Sequence, residues 1–407
     1  MQEFNILTLD NGIRFIHWNN SSKIVHCGIT VNTGTRDEME YEHGLAHFIE
    51  HVIFKGTTHR KAYHIINRLE DIGGDLNAYT TKEETCIYAT ILADDFERAA
   101  ELISDILFNS TFPEKELAKE KDVVFDEINS YKDSPSELIF DDFEEQVFQG
   151  DPIGRNILGT KKNLKLFDKK SIQTFMNRTY NTDQLVFSSV GNIPFNKIKR
   201  IAEKYFGHFP SNPRSYIRQP FKNYIPRVVE KHKSTYQAHC IIGNTAYDLK
   251  SDKRVALALL TNMLGGPGMN SRLNLSLREK YGLAYNVEAS HSPYTDTGIV
   301  SIYFGTDKNN IQKSISLVNK ELAKIRNVKI SSLQLHKAKK QLVGQLAIAA
   351  ESNESQMLSI GKSLLIYNDV DSQEEVARKI NTITAESMLE VANEIFNPDQ
   401  LSTLIFR

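Results

Sequence analysis

Cysteine is scarce in this 407-residue chain, with Cys27, Cys86 and Cys240 as the whole complement. An odd number with no CxxC spacing argues against a disulfide framework. It leaves three small apolar side chains suited to buried strands. Long apolar runs are missing too: no segment approaches the roughly 18 residues that cross a bilayer as a helix. Neither charge dominates. The 49 Lys and Arg stand against 51 Asp and Glu, a formal net charge of −2. Such a balance gives no field to gather nucleic acid or an anionic membrane surface. The opening residues MQEFNILTLDNGIRF hold no basic segment followed by an apolar one, and no Arg-rich amphipathic presequence. The expectation is therefore a cytoplasmic protein with no nucleic-acid partner and no membrane segment.

What is present is an ordinary globular composition, 40% hydrophobic and 25% charged, at a length that implies two or three domains. An internal repeat decides between them. TCIYATILADDFERAAELI from Thr85 corresponds to TGIVSIYFGTDKNNIQKSI from Thr297, an offset of 212. SIQTFMNRTYNTDQLVFSSV from Ser171 corresponds to SMLEVANEIFNPDQLSTLIF from Ser387, an offset of 216, and VHCGITV from Val25 to AHCIIGN from Ala238, an offset of 213. Three segments in one order at nearly one offset imply two homologous domains, 1–207 and 228–407. Between them HFPSNPRSYIRQPFKNYIPR, residues 208–227, carries four prolines. It suits neither a helix nor a central strand and reads as a linker able to hinge.

Residues 13–18 and 24–32 alternate or run apolar as strands do. Glu42 to Lys55 repeats apolar residues at helical spacing and stops at Gly56. A second helix runs from Arg60 to Ile72. Leu76 to Leu92 reads as a hairpin broken near Lys82-Glu83-Glu84, and Asp94 to Asn109 and Pro113 to Tyr131 as helices. Strands in hairpin-like pairs as well as across helices imply an α+β fold, each domain a mixed or antiparallel sheet with helices on one face.

The chemistry sits in HGLAHFIEHVIFKGT, residues 43–57, which places three of the chain's 12 histidines and a glutamate within nine residues. His47 and His51, four apart on a helix, share one face and can converge on one ion. Glu50 lies on the same side. The pattern His-x-x-Glu-His is the inverse of the common zinc-protease order. A catalytic zinc needs a third protein ligand and an open position. On EKELAKEKDVVFDEINSYKD, Glu120 and Glu127 stand seven apart on one helical face, and spacing does not choose between them. At offset 212 the motif positions become Leu259, Asn262 and Met263, so one chain is expected to hold one Zn2+.

Over nearly its full length the chain resembles the family of pitrilysin, insulin-degrading enzyme and the mitochondrial processing peptidase. That family carries the inverted motif in its first domain and a glutamate ligand some seventy-five residues on. Glu127, in VVFDEI, stands 76 positions after His51. The resemblance implies that His47, His51 and Glu127 hold zinc. Glu50 would take a proton from the attacking water and pass it to the leaving amine, and Glu120 would hydrogen-bond a ligand histidine or buffer the site's charge. His43 is expected to support the site rather than ligate. GGDLNAYTTKEET from Gly73 resembles the family segment that lines the substrate cleft, here with Asn77 and Ala78. RLNLSLREKYGLAY resembles a stretch in which Arg278 and Tyr285 reach toward substrate.

The resemblance further implies a zinc metalloendopeptidase for short or unfolded peptides. Substrate would add as a strand near Asn77–Thr81, inside a chamber formed with a second chain, as a homodimer or a heterodimer with a related chain. The alternative is a non-catalytic subunit that completes the chamber of another peptidase chain. The intact motif favours the enzyme.

Overall fold

In the computed structural model, which describes residues 3–407, the chain divides into two units of packing, residues 1–128, 155–218 and 349–372 in the first and 129–154, 219–348 and 373–407 in the second. The first is built on six strands: β1 (Phe4–Thr8), β2 (Arg14–Asn19), β3 (Ile24–Val31), β4 (Asp75–Thr80), β5 (Thr85–Leu92) and β6 (Leu185–Gly191), in the order β1-β2-β6-β3-β5-β4. Only β2 and β6 run parallel; the other neighbours are antiparallel. The period of two in β3 puts Val25, Cys27, Ile29 and Val31 on one face, all fully buried. Ile87 and Ala89 of β5 and Leu185 and Phe187 of β6 extend that face. Against it pack α1 (Leu45–Val52) and α3 (Phe96–Asn109), joined in the same core by α2 (Ala62–Glu70) and α4 (Glu114–Lys132). Each such fully buried large side chain contributes ~1.5–3 kcal/mol.

The second unit repeats the plan with β7 (Val228–Lys231), β8 (Gln237–Thr245), β9 (Ala284–Pro293), β10 (Gly298–Asp307) and β11 (Ser402–Phe406), in the order β7-β11-β8-β10-β9. Again one pair is parallel, β7 with β11, and the rest are antiparallel. Strand for strand this is β2-β6-β3-β5-β4, so the repeat in the sequence is a repeat of topology. The α+β expectation of two homologous domains holds.

Two helices depart from contiguous halves. Each sheet has a second face that alternation also makes apolar, and that face needs a cover. In the first unit Ile16, Val186 and Val190 are covered by the helix Asn353–Tyr367, through Met357, Ile360 and Leu364. Gly361 lets this helix sit close, since a Cβ there would lie 2.8 Å from Ser188 Oγ. In the second, Ile241, Tyr303, Leu404 and Phe406 are covered by α5 (Pro135–Val147), through Ile139, Phe143 and Val147. The division expected from the repeat, 1–207 and 228–407, thus differs from the packing units in where these helices go. Most helices do lie on one face of each sheet, and one helix covers the other.

Residues 208–227 form neither helix nor strand. The stretch is fastened nonetheless. From 211 to 218, side chains alternate between exposed (Ser211, Pro213, Ser215, Ile217) and part-buried (Asn212, Arg214, Tyr216, Arg218), as an extended strap laid on a surface. No helix among the described residues is long and apolar enough to cross a membrane.

Candidate metal centre and active site

Helix α1 begins three residues later than its apolar spacing predicts. Gly44, at φ 96°, turns the chain in the left-handed region. A Cβ there would lie 2.7 Å from Gly159 Cα, so only glycine fits. From this start His47 and His51 fall one turn apart, with ring centroids 4.7 Å apart at 71°. Glu127 comes from α4. Its Oε2 lies 3.7 Å from His47 Nε2 and 3.4 Å from His51 Nε2. One ligand atom from each of the three falls within 4.8 Å of the others, and among the described residues no other His, Cys, Asp and Glu group does so.

The residues fit a metal ion. Glu127 Oε2, the atom nearest both imidazoles, is buried without a hydrogen-bond partner, which is costly unless something else coordinates there. Burial, then the neighbouring His51, pushes the His47 imidazole pKa down, so His47 is neutral and ready to ligate. The adjacent His51, then His47, hold the Glu127 carboxyl below its ordinary value despite some burial. At His51 burial disfavours the charge, yet Glu127, Glu50 and Glu120 outweigh it and raise the pKa. Two nitrogens and one carboxylate oxygen are a donor set suited to zinc.

Glu120, the other candidate on α4, does not join the group. Its Oε2 lies 3.4 Å from His51 Nδ1, and its Oε1 pairs with Lys55 Nζ at 2.6 Å. It is therefore placed to hold the far nitrogen of His51, as carboxylates do behind ligating imidazoles. Glu50 sits among Thr80, His51 and Glu127. Burial raises its pKa, with Thr80 and His51 pulling the other way. His43 turns away from the group, its Nε2 2.8 Å from the Asn156 carbonyl.

Strand β4 is the outer strand of its sheet. Ala78 packs against the core and Asn77, exposed on the alternate face, donates its amide to Asp75 at 2.6 Å. Arg278 and Tyr285 belong to the second unit. Arg278 lies in the last turn of a π-helical segment, Asn274–Lys280, and its side chain is exposed. Tyr285, on β9, is 85% exposed. The metal-binding group draws on the first unit alone.

Sequence reasoning missed what holds α1 in place. The acids in RDEMEYE ahead of the motif look like a solvated run, yet Glu38 and Glu42 are buried and the Asp37 side chain has no exposure at all. Glu38 accepts from the Gly44 amide at 2.9 Å and the Ala46 amide at 2.8 Å, capping the helix from outside. Glu42 takes Arg178, at 2.5 Å. The available signal was the supply of acids just before a helix with no N-cap side chain of its own.

Known proteins resemble the chain throughout. Residues 14–161 match the model of "Insulinase (Peptidase family M16)" and residues 167–342 that of "Peptidase M16 inactive domain". An "uncharacterized zinc protease" of Bacillus subtilis is 34% identical over 98% of this chain and 97% of its own. One from Rickettsia felis is 33% identical over 99% and 98%. Among solved structures, a protease from Helicobacter pylori shares the fold at a TM-score of 0.92, with 21% identity and all of both chains covered.

Proposed function

The chain belongs to the insulinase family of peptidases, family M16, and on that premise we propose that it is a zinc-dependent endopeptidase acting on short or unfolded peptides. The observation that carries this reading is the convergence of His47, His51 and Glu127, with the orphaned Glu127 Oε2 between the imidazoles. A zinc ion held there would supply Lewis acidity to the scissile carbonyl and make water a better acid. Glu50 takes the proton of the attacking water on its carboxylate and returns it to the leaving amine, and a pKa raised by burial suits a group that does both. Glu120, braced by Lys55, fixes the ring of His51.

Substrate adds along β4, whose outer edge offers backbone donors and acceptors near Asn77 and Ala78 and so tolerates many side chains. In a two-chain assembly Arg278 and Tyr285 of one chain serve the metal centre of the other, Tyr285 by donating to the developing oxyanion. The assembly we favour is a homodimer, with a related second chain as the alternative partner. A chamber-completing role without catalysis has no support from the complete ligand set.

Metal analysis and cleavage of a quenched fluorescent peptide test this together. The expected result is about one zinc per chain, with Glu50→Gln retaining the metal and losing ~10²–10⁴-fold in rate. Undiminished cleavage by Glu50→Gln would overturn the mechanism, and a metal-free, inactive wild type would overturn the enzyme.

A further inference from the structure

Arg218, in the strap between the two halves of the sequence, leaves only 9% of its side chain exposed and lies against an Asp37 side chain with none. Its Nε and Nη2 fork both Asp37 carboxylate oxygens at 3.0 and 2.7 Å. Its Nη1 donates to Asn32 Oδ1 at 3.0 Å, and Nη2 to the Asn32 and Glu83 carbonyls at 3.1 and 2.9 Å. Tyr216, two residues earlier, donates its hydroxyl to Asp37 Oδ1 at 3.0 Å. The strap is further tied down where the Asn212 and Arg214 amides donate to Thr182 and Asp183.

The partners of Arg218 lead to both elements of the site. Asp37 is followed directly by Glu38, the residue that caps α1 through the Gly44 and Ala46 amides. Glu83 lies in the turn of the hairpin that carries β4. That turn is bonded to the same loop, Thr35 N to the Thr81 carbonyl at 3.1 Å and Arg36 N to the Lys82 carbonyl at 2.8 Å. The approach is so close that a Cβ on Gly34 would lie 2.3 Å from the Thr81 oxygen. One guanidinium thus touches the loop ahead of the metal helix and the turn behind the outer strand. A largely buried, forked arginine is suited to such a knot, because it fixes orientation as well as charge.

We propose that Arg218 is a positioning residue, by which the strap sets the metal helix α1 against the outer strand β4. This rests on the reading of His47, His51 and Glu127 as a metal centre and of β4 as the substrate strand. The strap is then a part of the site and no passive tether.

The test uses the full chain. Zinc affinity is measured by competition with a chromophoric chelator, amide hydrogen exchange in residues 45–52 and 76–80 by mass spectrometry, and kcat and KM on the quenched peptide. Arg218→Ala is expected to weaken zinc by about 10–100-fold, the scale of losses when support behind a ligand is removed. Exchange in both segments should speed while β8 and β10 hold. Arg218→Lys keeps the charge without the fork and should recover only part. Ile217→Ser, at an exposed neighbour, should change nothing. Because Arg218→Ala leaves Asp37 buried without its cation, the double variant Asp37→Asn with Arg218→Met removes the latch with no orphan charge. Wild-type zinc affinity and wild-type exchange in that double variant overturn the proposal, as does a uniform speeding across the whole first unit. A wild type that binds zinc yet cleaves no peptide sinks the peptidase reading, and affinity and exchange still judge Arg218.

Discussion

The two units share one strand order but treat charge in opposite ways. In the first, Arg36, Glu38, Glu42, His47, Lys82, Glu83, Glu84 and Asp105 are all buried, whereas in the second the buried acidic, basic and histidine side chains among the described residues are His239 and Glu321. The helix in the place of α1, Arg254–Gly265, buries Leu257, Leu259, Leu260 and Leu264 instead. Its length is 12 residues, against 8 for α1. Burying charges is costly unless each is paired, and the topology plainly does not require it, since the second unit does without. The charges therefore mark where the first unit gives up stability to hold a particular geometry.

Copying the motif across would strain this contrast most. Leu259→His with Met263→His places imidazoles at the equivalent positions, one of them fully buried in an apolar core. The expected outcome in urea unfolding is a loss of ~2–5 kcal/mol with no gain in bound zinc, because two histidines without a carboxylate and its supports are not a site. A second zinc equivalent would show that the fold alone prepares the site.

Removing one support from the first unit comes next. Glu38→Ala leaves two buried amides without an acceptor, at ~1–3 kcal/mol. The subtler variant is Glu38→Gln, which carries a pH signature. Burial pushes the Glu38 carboxyl up to about 8, although the Ala46 and Gly44 amides pull it down. The folded chain then keeps a proton that the unfolded chain releases. Its contribution is fully present below the ordinary carboxylate pKa of about 4.3 and is lost as pH rises through about 8. Thermal melts from pH 5 to 8 should show the wild type losing stability relative to Glu38→Gln as pH rises. A parallel pair of curves would place the Glu38 pKa in the ordinary range.

The smallest structural effect belongs to Tyr285→Phe in the second unit. At 85% exposure its hydroxyl should matter to stability by less than about 0.5 kcal/mol. A fall in kcat with an unchanged melt would give the second unit a share in the chemistry. An unchanged kcat would leave that to the first.

Much of this was legible beforehand, for reasons of period. The alternation in residues 24–32 and 85–92 is that of strands with a buried face, and β3 and β5 form there. The i, i+4 spacing of His47 and His51 fixes a shared helix face before any coordinates. Spacing did not choose between Glu127 and Glu120, because both lie on that face of α4; the family resemblance pointed to Glu127, and the structure groups it with the imidazoles and places Glu120 behind His51. Asn77, Arg278 and Tyr285 are exposed or part-exposed, and their roles rest on the resemblance. What stayed hidden has a common cause. An amphipathic helix announces that one side will be covered but not by which sheet, so α5 and Asn353–Tyr367 could not be assigned. Likewise Asp37, Glu38 and Arg218 are residue types that normally meet water, and only tertiary pairing shows otherwise.

The exchange of covering helices bears on how the chain is born. As synthesis proceeds from the N-terminus, Ile16, Val186 and Val190 emerge long before the segment 353–367 that will shield them. The nascent first sheet must wait with a greasy side uncovered, a state prone to clumping and to capture by chaperones. α5, made early, waits in turn for strands not yet translated. Neither half can complete its packing alone, so a ribosome stalled between them leaves the first sheet uncovered.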